Sequence, residues 1–167
     1  MANRYPVRMH ARNADAPTAS RSAPYIGRRL LALVYDLFVA VALWFVVAVP
    51  FLLADLAISG DPRHNIGPYS VMQWLLWLAC WIVTGLYATI SWQRGGQTLG
   101  MRPWRLRVVP RDGGALTRTA AWRRYTVATL SLLAGGAGFW WAWIDRDRLT
   151  WHDRASGSRV VRVARPD

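Results

Sequence analysis

Residues Leu30 to Leu53 read LLALVYDLFVAVALWFVVAVPFLL and contain a single charged residue, Asp36. A helix of this length can cross the hydrocarbon core of a membrane, which is roughly 30 Å thick. A carboxylate in such a helix costs about 2.5–3.5 kcal/mol on insertion scales, so Asp36 needs a partner, a proton or an ion. Arg29 lies seven residues earlier, two turns away on the same helical face. This stretch predicts a membrane helix with a buried charge that calls for an explanation.

Two more blocks are apolar and carry no charge, Val71–Trp92 over 22 residues and Thr126–Ile144 over 19. Pro50 is predicted to kink or end the first helix, and Gly135-Gly136-Ala137-Gly138 interrupts the last block. We therefore predict an all-α integral membrane protein with two transmembrane helices and a third broken or re-entrant hydrophobic segment. A simple third crossing remains the alternative.

The arginines indicate which links face the cytoplasm. Six lie in the N-terminal tail up to Arg29 and eight in the 93–125 link, against one in the 54–70 link. By the positive-inside rule, the tail and the 93–125 link are cytoplasmic and the 54–70 link is outside. The C-terminal tail, with six arginines, also favours the cytoplasm. Three full crossings would place it outside, so the charges favour a re-entrant segment.

Two short runs have the composition of strands, Arg105–Val109 and Ser158–Val163. Both are rich in valine, and turn residues flank them, Asp112-Gly113-Gly114 after the first and Ser156-Gly157 before the second. If they pair, both lie on one side of the membrane. We predict a small cytoplasmic strand pair. The predicted organisation is a disordered basic cytoplasmic tail over residues 1–23, a membrane domain over 24–163 and a short tail over 164–167.

Several function classes are disfavoured by composition. The net charge of +12 is typical of nucleic-acid binding, but the arginines flank apolar blocks, where topology and attraction to anionic lipids account for them. Cys80 is the single cysteine, and the three histidines are scattered, so neither a metal site nor a cofactor is predicted. His152 and Asp153 would diverge on a strand. No catalytic motif stands out, and we do not expect an enzyme.

Glycines frame a short motif after the second apolar block, Gly95-Gly-Gln-Thr-Leu-Gly100. The spacing is that of a phosphate loop, but Met101-Arg102 replaces the lysine and hydroxyl residue that such a loop requires. We predict instead a glycine turn in which Thr98 caps a short interfacial helix.

Two interpretations of the charges at Asp36 and Arg29 remain open. In one, the two residues form an ion pair or hydrogen-bonded anchor that fixes helix packing. In the other, Asp36 binds a cation or exchanges a proton, as carboxylates in membrane carriers do, and Arg29 tunes it. The sequence leaves open whether Asp36 is charged.

The chain resembles the RDD family of small bacterial membrane proteins, named for one arginine and two aspartates. Its motifs are matched by Arg29-Leu-Leu-Ala-Leu-Val-Tyr-Asp36, Gly96-Gln-Thr-Leu-Gly100-Met-Arg102, Leu106–Val109 with Asp112-Gly113, Arg123 or Arg124, and Trp151-His-Asp153-Arg154 through Val161. The likeness covers residues 24–163. It makes Asp153 the candidate second aspartate, and Arg124, Gly96, Thr98 and Gly100 structural or coupling candidates. Met101 and Ser158 depart from the lysine and threonine more usual in the family.

The resemblance implies a multi-pass protein of the bacterial inner membrane with a cytoplasmic N-terminus, and transport is the activity suspected for the family. We expect a transporter-like protein that exchanges a monovalent cation for protons. A scaffold or assembly factor for a membrane complex is the alternative. The expected partners are the lipid bilayer, anionic lipids at the cytoplasmic face, and further copies of the chain or a membrane protein. Nucleic acid is not expected.

Overall fold

The computed structural model describes residues 25–61 and 66–163. The chain forms five helices and two strands in these ranges, in the order α1, α2, β1, α3, α4, α5, β2. The tails predicted over 1–23 and 164–167 lie outside the described residues. The prediction of a mostly helical protein is confirmed.

Helix α1, Ile26–Ser59, is longer than the apolar stretch that predicted it. Pro50 lies inside the helix, so of the two outcomes predicted for it, a kink or an end, the end is wrong. A proline removes one N–H donor, and the helix continues past it to Gly60, whose positive φ allows the chain to turn away. Large apolar side chains cover its surface, with Phe38 72% and Phe45 71% exposed. Helix α1 is long and apolar enough to cross a membrane.

Helix α2, Val71–Gly95, is the second helix that is long and apolar enough for a crossing. The Ser70 side chain caps its first turn by accepting from Gln73 N at 3.2 Å. Trp44 on α1 donates to the Thr84 hydroxyl on α2 at 2.9 Å. On another face, a Cβ on Gly85 would lie 2.7 Å from the Trp122 ring. The absent side chain therefore lets the helix that carries Trp122 approach α2 closely.

The predicted strand pair is confirmed. Strands β1, Leu106–Pro110, and β2, Ser158–Arg162, pair antiparallel with Val108 opposite Val160. Leu106, Val108 and Val160 point into a small core that also includes Ala121. The two strands join parts of the chain that are about 50 residues apart in sequence.

The third hydrophobic segment is broken, as predicted. Helices α3, Arg118–Leu133, and α4, Ala137–Ile144, meet at an angle of 97°. Gly135 and Gly136 between them have φ values of 65° and 79°, a conformation that glycine adopts without steric cost. Because β2 pairs with β1 and the next helix packs against α3, the bent segment begins and ends at the same end of the molecule.

Helix α5, Trp151–Ala155, was missed by the sequence analysis, which considered His152 and Asp153 only as neighbours on a strand. Thr150 and Asp153 form a capping box, in which each side chain bonds the backbone N–H of the other residue. This short helix carries Asp153, and β2 is the next element along the chain.

Candidate functional site

Two carboxylates, Asp153 and Asp36, each accept hydrogen bonds from several elements at the end of the molecule that carries the sheet. Asp153 is fully buried, with 0% of its surface exposed. Its Oδ2 accepts from Arg29 Nη1 at 2.7 Å and its Oδ1 from Arg124 Nη1 at 2.6 Å. These short, charge-assisted bonds join α1, α3 and α5 at one point.

Neighbouring hydroxyls extend this cluster to the sheet. Arg124 Nη1 donates to the Ser158 hydroxyl at 2.7 Å, and Arg29 Nη1 to the Thr150 hydroxyl at 3.3 Å. The guanidinium carbon of Arg124 lies 5.3 Å from the centre of the Trp92 ring, within cation–π range. We call Arg29, Arg124 and Asp153 the arginine cluster; it carries one net positive charge.

The arginine cluster sets the charges of α5. Burial alone would raise the pKa of Asp153, but the guanidinium groups of Arg124 and Arg29 outweigh it and hold that pKa below its usual range. Burial and the nearby charge of Arg124 lower the pKa of His152 to about 3. His152 is therefore neutral at pH 7, with its ring 4.8 Å from that of Phe139. Asp153 is charged, and its ion pairs with Arg29 and Arg124 hold the side chain in place.

Asp36 occupies a different environment, half-buried on α1. Its Oδ1 accepts from the Tyr87 hydroxyl at 2.7 Å and from Gly100 N at 2.9 Å. Its Oδ2 accepts from the Thr98 hydroxyl at 2.5 Å. All three donors are neutral. In the described parts of the chain, Asp36 forms no ion pair.

The ion pair that the sequence suggested between Arg29 and Asp36 is therefore wrong for the described residues. The two residues do share one face of α1, but Arg29 reaches across to Asp153 instead. A partner 124 positions away along the chain leaves no signal in a single sequence. The hydrogen-bonded anchor, the other form of the structural interpretation, describes how Asp36 is held.

The glycine motif brings the loop after α2 against α1. A Cβ on Gly100 would lie 2.2 Å from Ala32 O and 2.7 Å from the Asp36 carboxyl carbon. Only a glycine fits this approach. Gly96 ends α2 with a φ of 69°, and its carbonyl oxygen accepts from Val108 N at 2.7 Å. The motif thus ties α2, β1 and Asp36 together.

Thr98 does not cap a helix, so that prediction is wrong. Residues 99–105 form successive turns, and the Thr98 hydroxyl, 3% exposed, donates to Asp36. The hydroxyl of Tyr87 donates to the same carboxylate, so two hydroxyl oxygens lie beside Asp36. Sequence reasoning also missed Tyr87. A phenol inside an apolar helix needs a hydrogen-bond partner when buried, and this was the available signal.

A cavity of about 960 Å³ lies between the helices and connects the two carboxylate sites. Asp36, Tyr87 and Thr98 form part of its wall, and so do Arg29 and Arg124. Most of the remaining wall is apolar. Within the described ranges, the structure has no group of three or more metal-ligating side chains.

Comparison with known proteins identifies the family of the chain. No curated protein and no solved structure matches the chain. The model of the RDD family matches residues 23–157, which is most of the chain. This range contains Arg29, Asp36 and Asp153, the arginine and two aspartates described above. The chain belongs to the RDD family.

Proposed function

We propose that this protein is a multi-pass membrane protein of the transport class that exchanges a monovalent cation for protons, with Asp36 as the exchanging carboxylate. The observation that carries the proposal is the position of Asp36 on the cavity wall, without a cationic partner in the described parts of the chain. Its negative charge is held by neutral donors, so a bound cation or a proton would neutralise it.

The atoms around Asp36 suit a small monovalent cation. The Tyr87 hydroxyl oxygen lies 2.7 Å from Oδ1 of Asp36, and the Thr98 hydroxyl oxygen lies 2.5 Å from Oδ2. Each hydroxyl can rotate its hydrogen away and offer a lone pair instead. One carboxylate balances one positive charge. Divalent cations usually bind several carboxylates and would be poorly matched here.

The proposed setting is the bacterial inner membrane, with α1 and α2 crossing it and α3 with α4 re-entering from the cytoplasm. The pairing of β1 with β2 supports this topology, because both ends of the bent segment lie beside one sheet. The arginine-rich links favour a cytoplasmic sheet and N-terminus. Two crossing helices are too few to enclose a transport pathway. The proposal therefore requires several copies of the chain or a membrane partner protein.

The test is flux driven by a pH gradient in proteoliposomes, with sodium and potassium measured separately. Asp36→Asn is a sharp variant because the amide can keep all three hydrogen bonds: its oxygen accepts from Tyr87 and Gly100, and its nitrogen donates to the Thr98 oxygen. Asp112→Asn, in the exposed turn after β1, is the matched control. We expect flux in the wild type and in Asp112→Asn, and none in folded Asp36→Asn.

A scaffold or assembly factor is the second candidate, favoured by the arginine cluster. Arg29 and Asp153 form internal bonds that connect α1, α3 and α5. In this case neither the wild type nor Asp36→Asn would carry ions, and both would purify with the same membrane partner. Flux that is equal in the wild type and Asp36→Asn would overturn the role of Asp36.

A further inference from the structure

Three consecutive residues in the loop after α2 are bonded to Asp36. The Thr98 hydroxyl donates to Oδ2 at 2.5 Å, and Gly100 N donates to Oδ1 at 2.9 Å. Between them, Leu99 N donates at 2.9 Å to the Tyr87 hydroxyl, which itself donates to Oδ1 at 2.7 Å. Each residue of this segment is therefore tied to one carboxylate, either directly or through one phenol.

Close packing holds residues 98–100 over the carboxylate. A Cβ on Gly100 would lie 2.2 Å from Ala32 O, so the backbone of the segment lies directly against α1. The side chain of Thr98 is only 3% exposed, whereas that of Leu99 is 49% exposed. The segment thus covers Asp36 with one face and meets its surroundings with the other.

The two ends of the same segment are anchored to the sheet. On one side, the Gln97 side chain donates to Leu106 O at 2.8 Å. On the other side, Met101 O accepts from Leu106 N at 3.2 Å. Neither bond involves Asp36. Only the middle of the loop, residues 98–100, has hydrogen bonds whose strength depends on the charge of that carboxylate.

Asp36 is the group on this part of the cavity wall that can change its charge. The cations that α1 and α3 place on the wall belong to the arginine cluster, whose net positive charge balances Asp36. Arg102, in the turn after the segment, acts electrostatically on the Tyr87 hydroxyl. Helix α2 gives the wall only uncharged side chains, and α5 gives it the neutral His152. Arginines keep their charge at any ordinary pH.

We propose that residues 98–100 are the gate of the Asp36 site, closed while Asp36 is charged and released when a proton or a cation neutralises it. This gate rests on the exchanging role of Asp36 proposed above. Hydrogen bonds to an ionised carboxylate are roughly twice as strong as those to a neutral acceptor, so the charged form favours the closed segment. The empty, charged site is then shut towards the sheet, which prevents an uncoupled leak.

The test is amide hydrogen exchange of a peptide covering residues 97–105, measured by mass spectrometry on the full chain in detergent. Asp36→Asn is the permanently neutral form, and its exchange rate is divided by that of the wild type at the same pH. We expect a ratio of about five at pH 8, because the bonds to the amide lack the contribution of the charge. Towards pH 4 the ratio should fall to about one, because acid neutralises Asp36 in the wild type.

Two further variants support this measurement. Asp112→Asn, in the exposed turn after β1, makes the same chemical change away from the loop, and its ratio should stay at one throughout. Thr98→Val keeps the shape of the side chain and removes the donor to Oδ2 of Asp36. Its ratio should exceed one at pH 8 and fall with acid. Thermal unfolding of each variant confirms that it is folded.

A cation added at pH 8 separates the gate from cation exchange. Sodium or potassium is compared with choline at equal ionic strength. Faster exchange of the 97–105 peptide in the wild type but not in Asp36→Asn supports both proposals. If the ratio falls with acid and neither cation has an effect, the gate stands and the cation is removed from the proposed function.

Two results would overturn the gate. One is a ratio of one at every pH for both Asp36→Asn and Thr98→Val. The other is a raised ratio that acid does not lower, because the segment would then depend on the shape of the Asp36 side chain and not on its charge.

Discussion

Asp153 and Asp36 differ in the groups that neutralise them. Asp153 is fully buried between two guanidinium groups, whereas Asp36 is half-buried and held by two hydroxyls and one backbone N–H. A carboxylate between two buried cations cannot release its charge without leaving them unpaired. A carboxylate held by neutral donors can accept a proton or a cation. We infer that Asp153 is structural and that Asp36 is available for exchange.

The largest expected difference comes from making the same substitution at both sites. Asp153→Asn leaves two buried guanidinium groups without a counter-ion and should cost about 3–5 kcal/mol of stability. Asp36→Asn keeps its hydrogen bonds and should cost about 1 kcal/mol or less. Thermal unfolding in detergent measures both. Similar losses for the two variants would erase the distinction between the sites.

Gly100 tests how tightly the Asp36 site is packed. Gly100→Ala places a Cβ against Ala32 O and the Asp36 carboxyl group, and we expect a loss of about 1–3 kcal/mol from overpacking. Gly95→Ala is the matched control, since a Cβ there meets nothing within 4 Å and helix propensity favours alanine. An equally stable Gly100→Ala protein would show that the loop does not press on α1 as described.

Acid should act first on the Asp153 side of the molecule. The pKa of His152 falls from 6.5 to about 3 on folding, so between these values the unfolded chain binds a proton that the folded chain does not. Stability should therefore fall as the pH drops below about 6.5, by up to about 1.4 kcal/mol per pH unit. Asp153, whose pKa is also lowered, adds its own loss only below about pH 4.

His152→Phe isolates that effect, because phenylalanine can pack against Phe139 in the same place. Unfolding temperatures of the wild type and the variant are compared from pH 7 to pH 4. We expect the unfolding temperature of the variant to stay constant over the pH range in which that of the wild type falls. Parallel curves would mean that other groups cause the acid sensitivity.

A small effect is predicted for removal of the Tyr87 hydroxyl. Tyr87→Phe removes the donor to Asp36 Oδ1 and the acceptor for Leu99 N, which is exposed enough to bond water. We expect a loss of about 0.5–1.5 kcal/mol in thermal unfolding. A loss above about 3 kcal/mol would mean that Asp36 is as tightly locked as Asp153.

Periodic and compositional signals predicted most of the fold. The apolar blocks predicted α1, α2 and the segment that Gly135 and Gly136 break, and the valine runs predicted β1 and β2. Helix α5 was missed because five residues are too few to show a helical period. Pro50 does not end α1, because a proline late in a long helix costs one hydrogen bond but does not have to end the helix.

The residues of the candidate site were named before their contacts were known. Arg29 and Asp36 were named from the first apolar block, and Asp153, Arg124, Thr98 and Gly100 from the resemblance to the RDD family. The side chain that Arg29 reaches depends on the bend between α3 and α4 and on the strand pairing, which together bring Asp153 back to α1. Such long-range closure is a property of the tertiary structure, and local spacing favoured the wrong partner, Asp36.

The most direct test measures the chemical labelling of Asp36 and of Asp153 in one experiment. A hydrophobic carbodiimide reacts with protonated carboxyl groups, and mass spectrometry of peptides reports modification at each aspartate with and without sodium or potassium. We predict that Asp36 is labelled without the cation and protected by it, while Asp153 is unlabelled in both conditions. Labelling of Asp36 that the cation leaves unchanged, or labelling of Asp153 to the same extent, would contradict the assignment of exchange to Asp36.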